Sequence, residues 1–226
     1  MIACLRHNAP GDAGDRGLLV MLPGAGIAPG EFAEHGMVAA VHARSLAADI
    51  VVACPALEHY LDGTVAGALH QSVVALMQGK GYKRLWFLGV SLGGMGALLY
   101  TSAYPTELDG LILLAPFLGT RGSVAELAEA GGLAAWSPAA STVTPVEREM
   151  LIWLRDFVAR QPARPVLYLG YGRRDRFAQG HRMLAAQLPK DRVVTADGGH
   201  DWETWLALWE QVLEVAPFTT GLADAR

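Results

Sequence analysis

Short runs of apolar residues recur along this chain and alternate with helix-like segments. Most of these runs are continuous, unlike the alternating pattern of strands with one solvent-exposed face, and they are typical of parallel strands covered on both faces. Residues 64–79 and 93–103 are two of the helix-like segments between them. The alternation predicts an α/β fold with a doubly wound, mostly parallel sheet. The predicted core strands are 18–22, 50–54, 85–90, 110–115, 166–171 and 192–196.

One long insertion interrupts this alternation. Residues 117–164 separate the fourth predicted strand from the fifth, which is far more chain than a single crossover helix needs. Two stretches within the insertion have the apolar spacing of helices, so we predict a small helical cap over one end of the sheet. Residues 1–7 are expected to add an edge strand. Since no repeat or linker divides the chain, residues 1–226 are interpreted as a single domain that carries this cap.

Composition narrows the possible partners and location. The 18 lysines and arginines among 226 residues form no basic run, and the net charge is −4, so nucleic acid is not an expected partner. The N-terminus lacks the apolar stretch of a secretion signal, and no later run reaches the ~20 apolar residues of a membrane span. We expect a soluble cytoplasmic protein, and the sequence gives no indication of its oligomeric state. Cys4 and Cys54 are expected to be reduced and largely buried.

A Gly-x-Ser-x-Gly turn is the strongest chemical motif in the chain. Gly89-Val90-Ser91-Leu92-Gly93 follows a predicted strand and opens a predicted helix. In that context the serine adopts a strained conformation that exposes its hydroxyl oxygen. A serine hydroxyl becomes a good nucleophile only when a base removes its proton and hydrogen-bond donors stabilise the resulting oxyanion. Ser91 is therefore a candidate nucleophile whose base and donors must be sought elsewhere.

With this turn in its predicted context, the chain resembles the α/β-hydrolase superfamily from about residue 18 to residue 215. The stretches GVSLGGMGAL and GGHDWETW look most like compact bacterial serine carboxylesterases of the esterase D and dienelactone-hydrolase neighbourhood. Dienelactone hydrolases use cysteine, whereas this chain has Ser91. The resemblance implies an α/β-hydrolase fold in which the nucleophile, the acid and the histidine follow one another in the chain, at the carboxyl ends of successive strands.

His200 is the histidine that this order requires. It lies in the loop after the last predicted strand, where we expect Gly198 and Gly199 to make the loop supple enough to reach Ser91. The helix predicted over 201–215 has apolar residues at helical spacing, which would anchor the loop. We predict that His200 is the general base.

Asp175 is the predicted acid, because it lies in the loop after the strand at 166–171. A carboxylate there can hold the imidazole in the tautomer that accepts the serine proton. Asp201 is the rival candidate next to His200, but it better suits the N-cap of the following helix. Three arginines beside Asp175, Arg173, Arg174 and Arg176, are interpreted as a solvated or ion-paired loop.

Two backbone N–H groups are expected to form the oxyanion hole. One belongs to Leu92, the residue after the nucleophile, and the other to the PGAG loop at 23–26. Members of the family often have His-Gly in this loop, whereas this chain has Pro23-Gly24, so we choose Ala25 and leave Gly24 and Gly26 as alternatives. The two glycine-rich segments of the chain are PGAGIAPG and GVSLGGMG. Neither has the Gly-Lys-Ser/Thr ending of a phosphate-binding loop.

The predicted activity is hydrolysis of a small to medium carboxylic ester or thioester through an acyl-serine intermediate. Gly24 and Trp136, the latter in the cap, are the predicted substrate-binding residues, and the apolar cap suggests an apolar acyl or aromatic group. No metal or organic cofactor is implied. Two alternatives stay open: an acyltransferase that uses the same residues, and a non-catalytic binding protein with this fold.

Overall fold

The computed structural model describes residues 2–9, 16–77, 80–140 and 142–216. Within these ranges seven strands form one sheet, which includes all six predicted core strands. The end of the segment predicted as a helix over 64–79 and the first residue of the predicted edge strand lie outside the described residues. The strands are β1 (Ala3–His7), β2 (Gly17–Leu22), β3 (Ala48–Cys54), β4 (Arg84–Val90), β5 (Gly110–Leu114), β6 (Val166–Gly172) and β7 (Val193–Ala196).

The sheet has the order β1-β3-β2-β4-β5-β6-β7. All neighbouring strands are parallel except β1, which runs antiparallel to β3 at one edge. Because the chain moves outward from β2 first in one direction and then in the other, the sheet is doubly wound. The carboxyl ends of β4, β6 and β7 therefore meet at one edge, where the loops that carry Ser91, Asp175 and His200 begin.

Nine α-helices lie within the described ranges and cover both faces of the sheet. Alternate residues of each strand supply opposite cores: Leu19 and Met21 of β2 pack on one side, and Val20 and Leu22 on the other. The helices are α1 (Glu31–Glu34), α2 (Met37–Ala43), α3 (Leu57–Leu61), α4 (Val65–Met77), α5 (Leu92–Ala103), α6 (Arg121–Glu129), α7 (Pro145–Arg160), α8 (Ala178–Ala185) and α9 (Trp202–Val215).

The insertion at 117–164 contains α6, α7 and a short 3-10 turn at Pro138–Ala140. Helix α7 begins at Pro145, after Thr144, whose hydroxyl oxygen accepts the N–H of Glu147. Its buried residues join the core formed with α4 and α5. That this segment acts as a cap over the site stays a prediction.

Two further predictions concern the burial of the cysteines and the presence of membrane-spanning segments. Both cysteines are free thiols, but Cys4 is exposed and Cys54 is only partly buried, so the expectation that both are largely buried was wrong. The reason is that Cys4 lies on β1, whose residues are mostly exposed at the edge of the sheet. Within the described ranges, no helix combines the length and apolar character that a membrane crossing requires.

Candidate active site

Ser91 occupies a sharp turn between β4 and α5. Its backbone has φ 52° and ψ −116°, a region that non-glycine residues rarely adopt because of steric strain. Hydrogen bonds on both sides hold this conformation: the Ser91 N–H donates to the carbonyl oxygen of Leu114 at 3.1 Å, and the Ser91 carbonyl accepts the N–H of Phe117 at 2.8 Å. The end of β4 and the loop after β5 therefore fix the backbone of the candidate nucleophile.

The two glycines of the motif are required for close packing. A Cβ added to Gly89 would overlap the carbonyl group of Gly93, and a Cβ added to Gly93 would overlap the carbonyl oxygen of Leu22. Neither glycine has a positive φ. Their lack of a side chain thus allows the first turn of α5 to approach the ends of β4 and β2.

His200 lies beside Ser91, in the loop between β7 and α9. Its Nε2 is 2.9 Å from the Ser91 Oγ. The imidazole is packed edge-on between two aromatic rings, with ring centres 5.1 Å away for both Phe177 and Trp205. These contacts restrict the orientation of the imidazole, so the hydrogen bond to Ser91 is preorganised.

Asp175 completes a chain of hydrogen bonds with these two residues. Its Oδ2 is 2.8 Å from the His200 Nδ1, and its Oδ1 accepts the backbone N–H of Phe177 at 2.8 Å. The side chain of Asp175 is completely buried. Burial on its own would raise the pKa of this carboxyl group, but the hydrogen bonds from His200 and Phe177 outweigh burial and lower the pKa of Asp175 below its usual value. Asp175 is therefore held as a carboxylate beside the Nδ1 of His200, while the Nε2 of the same ring lies beside the Ser91 Oγ.

Asp201, the rival acid, has a structural position instead. Its Oδ1 accepts both the N–H and the hydroxyl of Thr204, at 2.9 and 2.7 Å. It is the N-cap of α9, as the sequence predicted. Asp175, rather than Asp201, makes the hydrogen bond to His200.

Gly198, in the loop before His200, is required for close packing, and that Gly198 and Gly199 make this loop supple stays a prediction. A Cβ on Gly198 would overlap the hydroxyl of Thr204, and a Cβ on Gly172 would overlap the carbonyl oxygen of Gly198. The loops that carry Asp175 and His200 thus approach each other backbone to backbone. This close approach brings the carboxylate within hydrogen-bonding distance of the imidazole.

The predicted oxyanion loop faces Ser91 across a cavity of about 290 Å³. Leu92 is the first residue of α5, so its N–H has no acceptor within the helix. A Cβ on Gly24 would be 3.1 Å from the Ser91 Cβ, which shows how closely the loop approaches the nucleophile. That Ala25 and Leu92 donate to an oxyanion stays a prediction. The cavity is lined by Gly24, Ala25, Ile27, Ser91, Arg176, His200, Asp201, Trp202 and Trp205.

A larger cavity, of about 550 Å³, adjoins the start of α5. Leu92 forms part of its wall, together with residues from α3, from the loop after β5 and from the start of α7. Most of the lining is apolar, and two exposed leucines of α3, Leu57 and Leu61, belong to it. The site therefore has a second, apolar compartment next to the nucleophile turn.

Trp136 is not among the residues that line these two cavities, and its role in substrate binding stays a prediction. The side chain is buried in the core formed with the insertion, with only 2% of the residue exposed. Its Nε1–H donates to the Glu126 carboxylate at 2.6 Å. This hydrogen bond satisfies the one polar atom of the indole and lets the ring pack as a core residue.

The sequence did not predict that three further residues lie near the site. Phe177 contacts both His200 and Asp175, as described above. Arg176 lines the cavity that contains Ser91. His181, on α8, is fully buried, and its Nε2 donates to the carbonyl oxygen of Pro116 at 2.8 Å. No local sequence pattern distinguishes these residues, because their positions depend on loops distant in the chain.

The parallel doubly wound sheet and the Ser-His-Asp arrangement at its carboxyl edge define the α/β-hydrolase class. Within that class, the model of the family described as serine aminopeptidase, S33, matches residues 61–186. This match covers more than half of the chain, which therefore belongs to this family of α/β hydrolases. No curated protein sequence gives a significant match.

Solved structures show the same fold at low sequence identity. FphF, a fluorophosphonate-binding serine hydrolase of Staphylococcus aureus, is 14% identical, with 95% of this chain and 98% of that chain covered and a TM-score of 0.67. S-formylglutathione hydrolase FrmB of the same organism is 12% identical, with 95% of each chain covered and a TM-score of 0.63. Est1E of Butyrivibrio proteoclasticus is 16% identical, with 94% of this chain and 93% of that chain covered and a TM-score of 0.62.

Proposed function

We propose that the protein is a serine esterase or thioesterase in which Ser91, His200 and Asp175 form a catalytic triad. One observation carries this proposal: the continuous hydrogen-bond chain from the Ser91 Oγ through His200 to Asp175, with distances of 2.9 and 2.8 Å. The same geometry activates the serine of unrelated acyl-transfer enzymes. The strained backbone of Ser91 supports the proposal further, since strain of this kind is concentrated at functional positions.

The proposed reaction has two halves. In the first, His200 takes the proton of Ser91 as the oxygen attacks the substrate carbonyl carbon, and the N–H groups of Leu92 and Ala25 stabilise the oxyanion. Collapse of this intermediate breaks the bond to the leaving group, which receives the proton from His200 and leaves an acyl-serine. In the second half, His200 deprotonates a water that attacks the acyl carbon, the bond from this carbon to the Ser91 Oγ breaks, and Ser91 recovers its proton from His200 as the carboxylic acid leaves. Asp175 stabilises the imidazolium formed in each half.

The apolar compartment next to Leu92 is the proposed binding place for the apolar part of the substrate. Its volume of about 550 Å³ is within the range of small-molecule pockets, and its mostly apolar lining suits an acyl chain or an aromatic group. Residues 117–164 supply Phe117 and the start of α7 to its wall. We therefore propose that this insertion acts as a cap that sets the size of the apolar group.

Hydrolysis of p-nitrophenyl esters and acyl thioesters of increasing chain length tests the proposal. We expect turnover by the wild type and a loss of at least a thousandfold in Ser91→Ala. Ser102→Ala is the matched control, because this second serine lies on α5 but outside the cavity that contains Ser91. Equal turnover by wild type and Ser91→Ala would refute the role of Ser91, and the ratio of ester to thioester turnover identifies the preferred bond.

A further inference from the structure

The three arginines after β6 have different environments. Arg173 donates to the hydroxyl of Thr195 at 3.2 Å, and Arg174 forms an ion pair with Asp197 at 3.4 Å. Arg176 instead lies over an aromatic ring, with its guanidinium carbon 4.9 Å from the centre of Phe177. It also lines the cavity that contains Ser91 and His200. Bonds to nearby residues thus explain the positions of the first two arginines, while the third lines the cavity of the candidate nucleophile.

The charge of Arg176 has no carboxylate partner among the described residues. Asp201 is the carboxylate that lines the same cavity, but its Oδ1 accepts two hydrogen bonds from Thr204. These bonds lower the pKa of Asp201, and the positive end of α9 stabilises its charge. The negative charge of Asp201 is therefore already compensated, whereas the guanidinium of Arg176 is available to a ligand.

The position of Arg176 is also tied to the proposed catalytic residues. Phe177, over which the guanidinium lies, contacts the His200 ring edge-on at 5.1 Å and donates its N–H to Asp175. A cation over an aromatic face is held by the electrostatic attraction of the ring. The planar guanidinium keeps its N–H donors for a ligand and matches the two oxygens of a carboxylate. This contact thus favours a position of the exposed guanidinium beside the nucleophile, where it can bind a carboxylate.

We propose that Arg176 is a specificity-determining residue that binds a carboxylate of the substrate. The preferred substrate is then an ester or thioester with an apolar part in the compartment beside Leu92 and a carboxylate, on either its acyl or its alcohol portion, at Arg176. This inference rests on the proposed function, since it places the carboxylate relative to a scissile bond at Ser91.

The test compares carboxylate-bearing esters with their uncharged methyl-capped counterparts. One pair has the carboxylate on the acyl group, as in the p-nitrophenyl monoester of glutaric acid, and the other has it on the leaving group, as in 4-carboxyphenyl butyrate. We expect Arg176→Gln to lower kcat/KM for at least one charged ester ten- to a hundredfold more than for its methyl-capped counterpart. The effect should appear mainly in KM, and Arg176→Lys should restore part of it.

Arg173→Gln is the matched control, because it removes the same charge from the same loop at a position bonded to Thr195. The ratio of charged to capped ester turnover should stay at the wild-type value in this variant. The proposal is overturned if Arg176→Gln lowers both members of each pair equally, or if Arg173→Gln changes the ratio as much. Turnover of the methyl-capped esters by the wild type, and its loss in Ser91→Ala, tests the proposed function separately. A failure of the proposed role of Arg176 can therefore be distinguished from a failure of the proposed function.

Discussion

His181 should make the stability of the fold depend on pH, because its imidazole is fully buried. The Nε2–H donates to the carbonyl oxygen of Pro116, and the Nδ1 has no hydrogen-bond partner among the described residues. Burial lowers the pKa of His181 from 6.5 to about 4. Protonation would put a second N–H and a positive charge on a ring that is removed from water, which is costly.

The size of the effect follows from the two pKa values. Between pH 6.5 and about 4 the unfolded chain binds a proton at His181 that the folded chain does not, so the stability falls as the pH falls through this window. At 1.36 kcal/mol per pKa unit, the loss is about 2 kcal/mol by pH 5 and approaches about 3 kcal/mol near pH 4. Above pH 7 the histidine is neutral in both states, and its contribution does not change with pH.

Urea unfolding followed by tryptophan fluorescence, from pH 7.5 to pH 5, measures this loss. We expect His181→Gln and His181→Phe to have flatter profiles than the wild type, by about 2 kcal/mol at pH 5, since neither side chain titrates. The stability of each variant is compared with that of the wild type at the same pH, because other groups also contribute to the pH dependence. Burial lowers the pKa of His7, for example. Parallel profiles for the wild type and both variants would refute the buried neutral state of His181.

Further predictions concern the proposed catalytic acid, Asp175, and the glycine-rich turn that carries Ser91. Asp175→Asn should lower kcat for ester hydrolysis by about ten-thousandfold, because the amide favours the wrong imidazole tautomer, whereas Asp201→Asn should cost far less, since asparagine is also a good N-cap. The reverse order of effects in steady-state kinetics would exchange the two assignments. Gly93→Ala should destabilise the fold by about 1–3 kcal/mol and impair turnover, because its Cβ would overlap the end of β2. Gly67→Ala, whose Cβ meets no atom within 4 Å, is the matched control in a thermal melt, and equal effects of the two substitutions would contradict the packing argument.

The sheet could be predicted from the sequence because its signals are local. Most core strands are continuous apolar runs such as LLVML, and burial on both faces requires little else of a strand. The spacing of Ser91, Asp175 and His200 could be predicted for a related reason, since each residue directly follows a strand or lies in the loop after it. Loops that leave the same edge of a parallel sheet are brought together by the sheet itself.

The details that the sequence could not provide depend on contacts between distant segments. Trp136 is a core residue because Glu126 satisfies its indole, and an apolar lining position would have the same local sequence. The three arginines after β6 are nearly adjacent in the chain, and Thr195 and Asp197 at the end of β7 distinguish Arg173 and Arg174 from Arg176. Such differences arise only once the strands have been placed side by side.

Covalent labelling with a fluorophosphonate, followed by peptide mapping, tests the central claim most directly. The reagent reacts with a serine only when a neighbouring base activates its oxygen, so it reports on the hydrogen-bond chain from Ser91 through His200 to Asp175. We predict a single adduct on the peptide that contains Ser91, no adduct in Ser91→Ala, and much slower labelling in Asp175→Asn. An unlabelled wild type, or equal labelling of wild type and Ser91→Ala, would contradict the claim that Ser91 is the nucleophile.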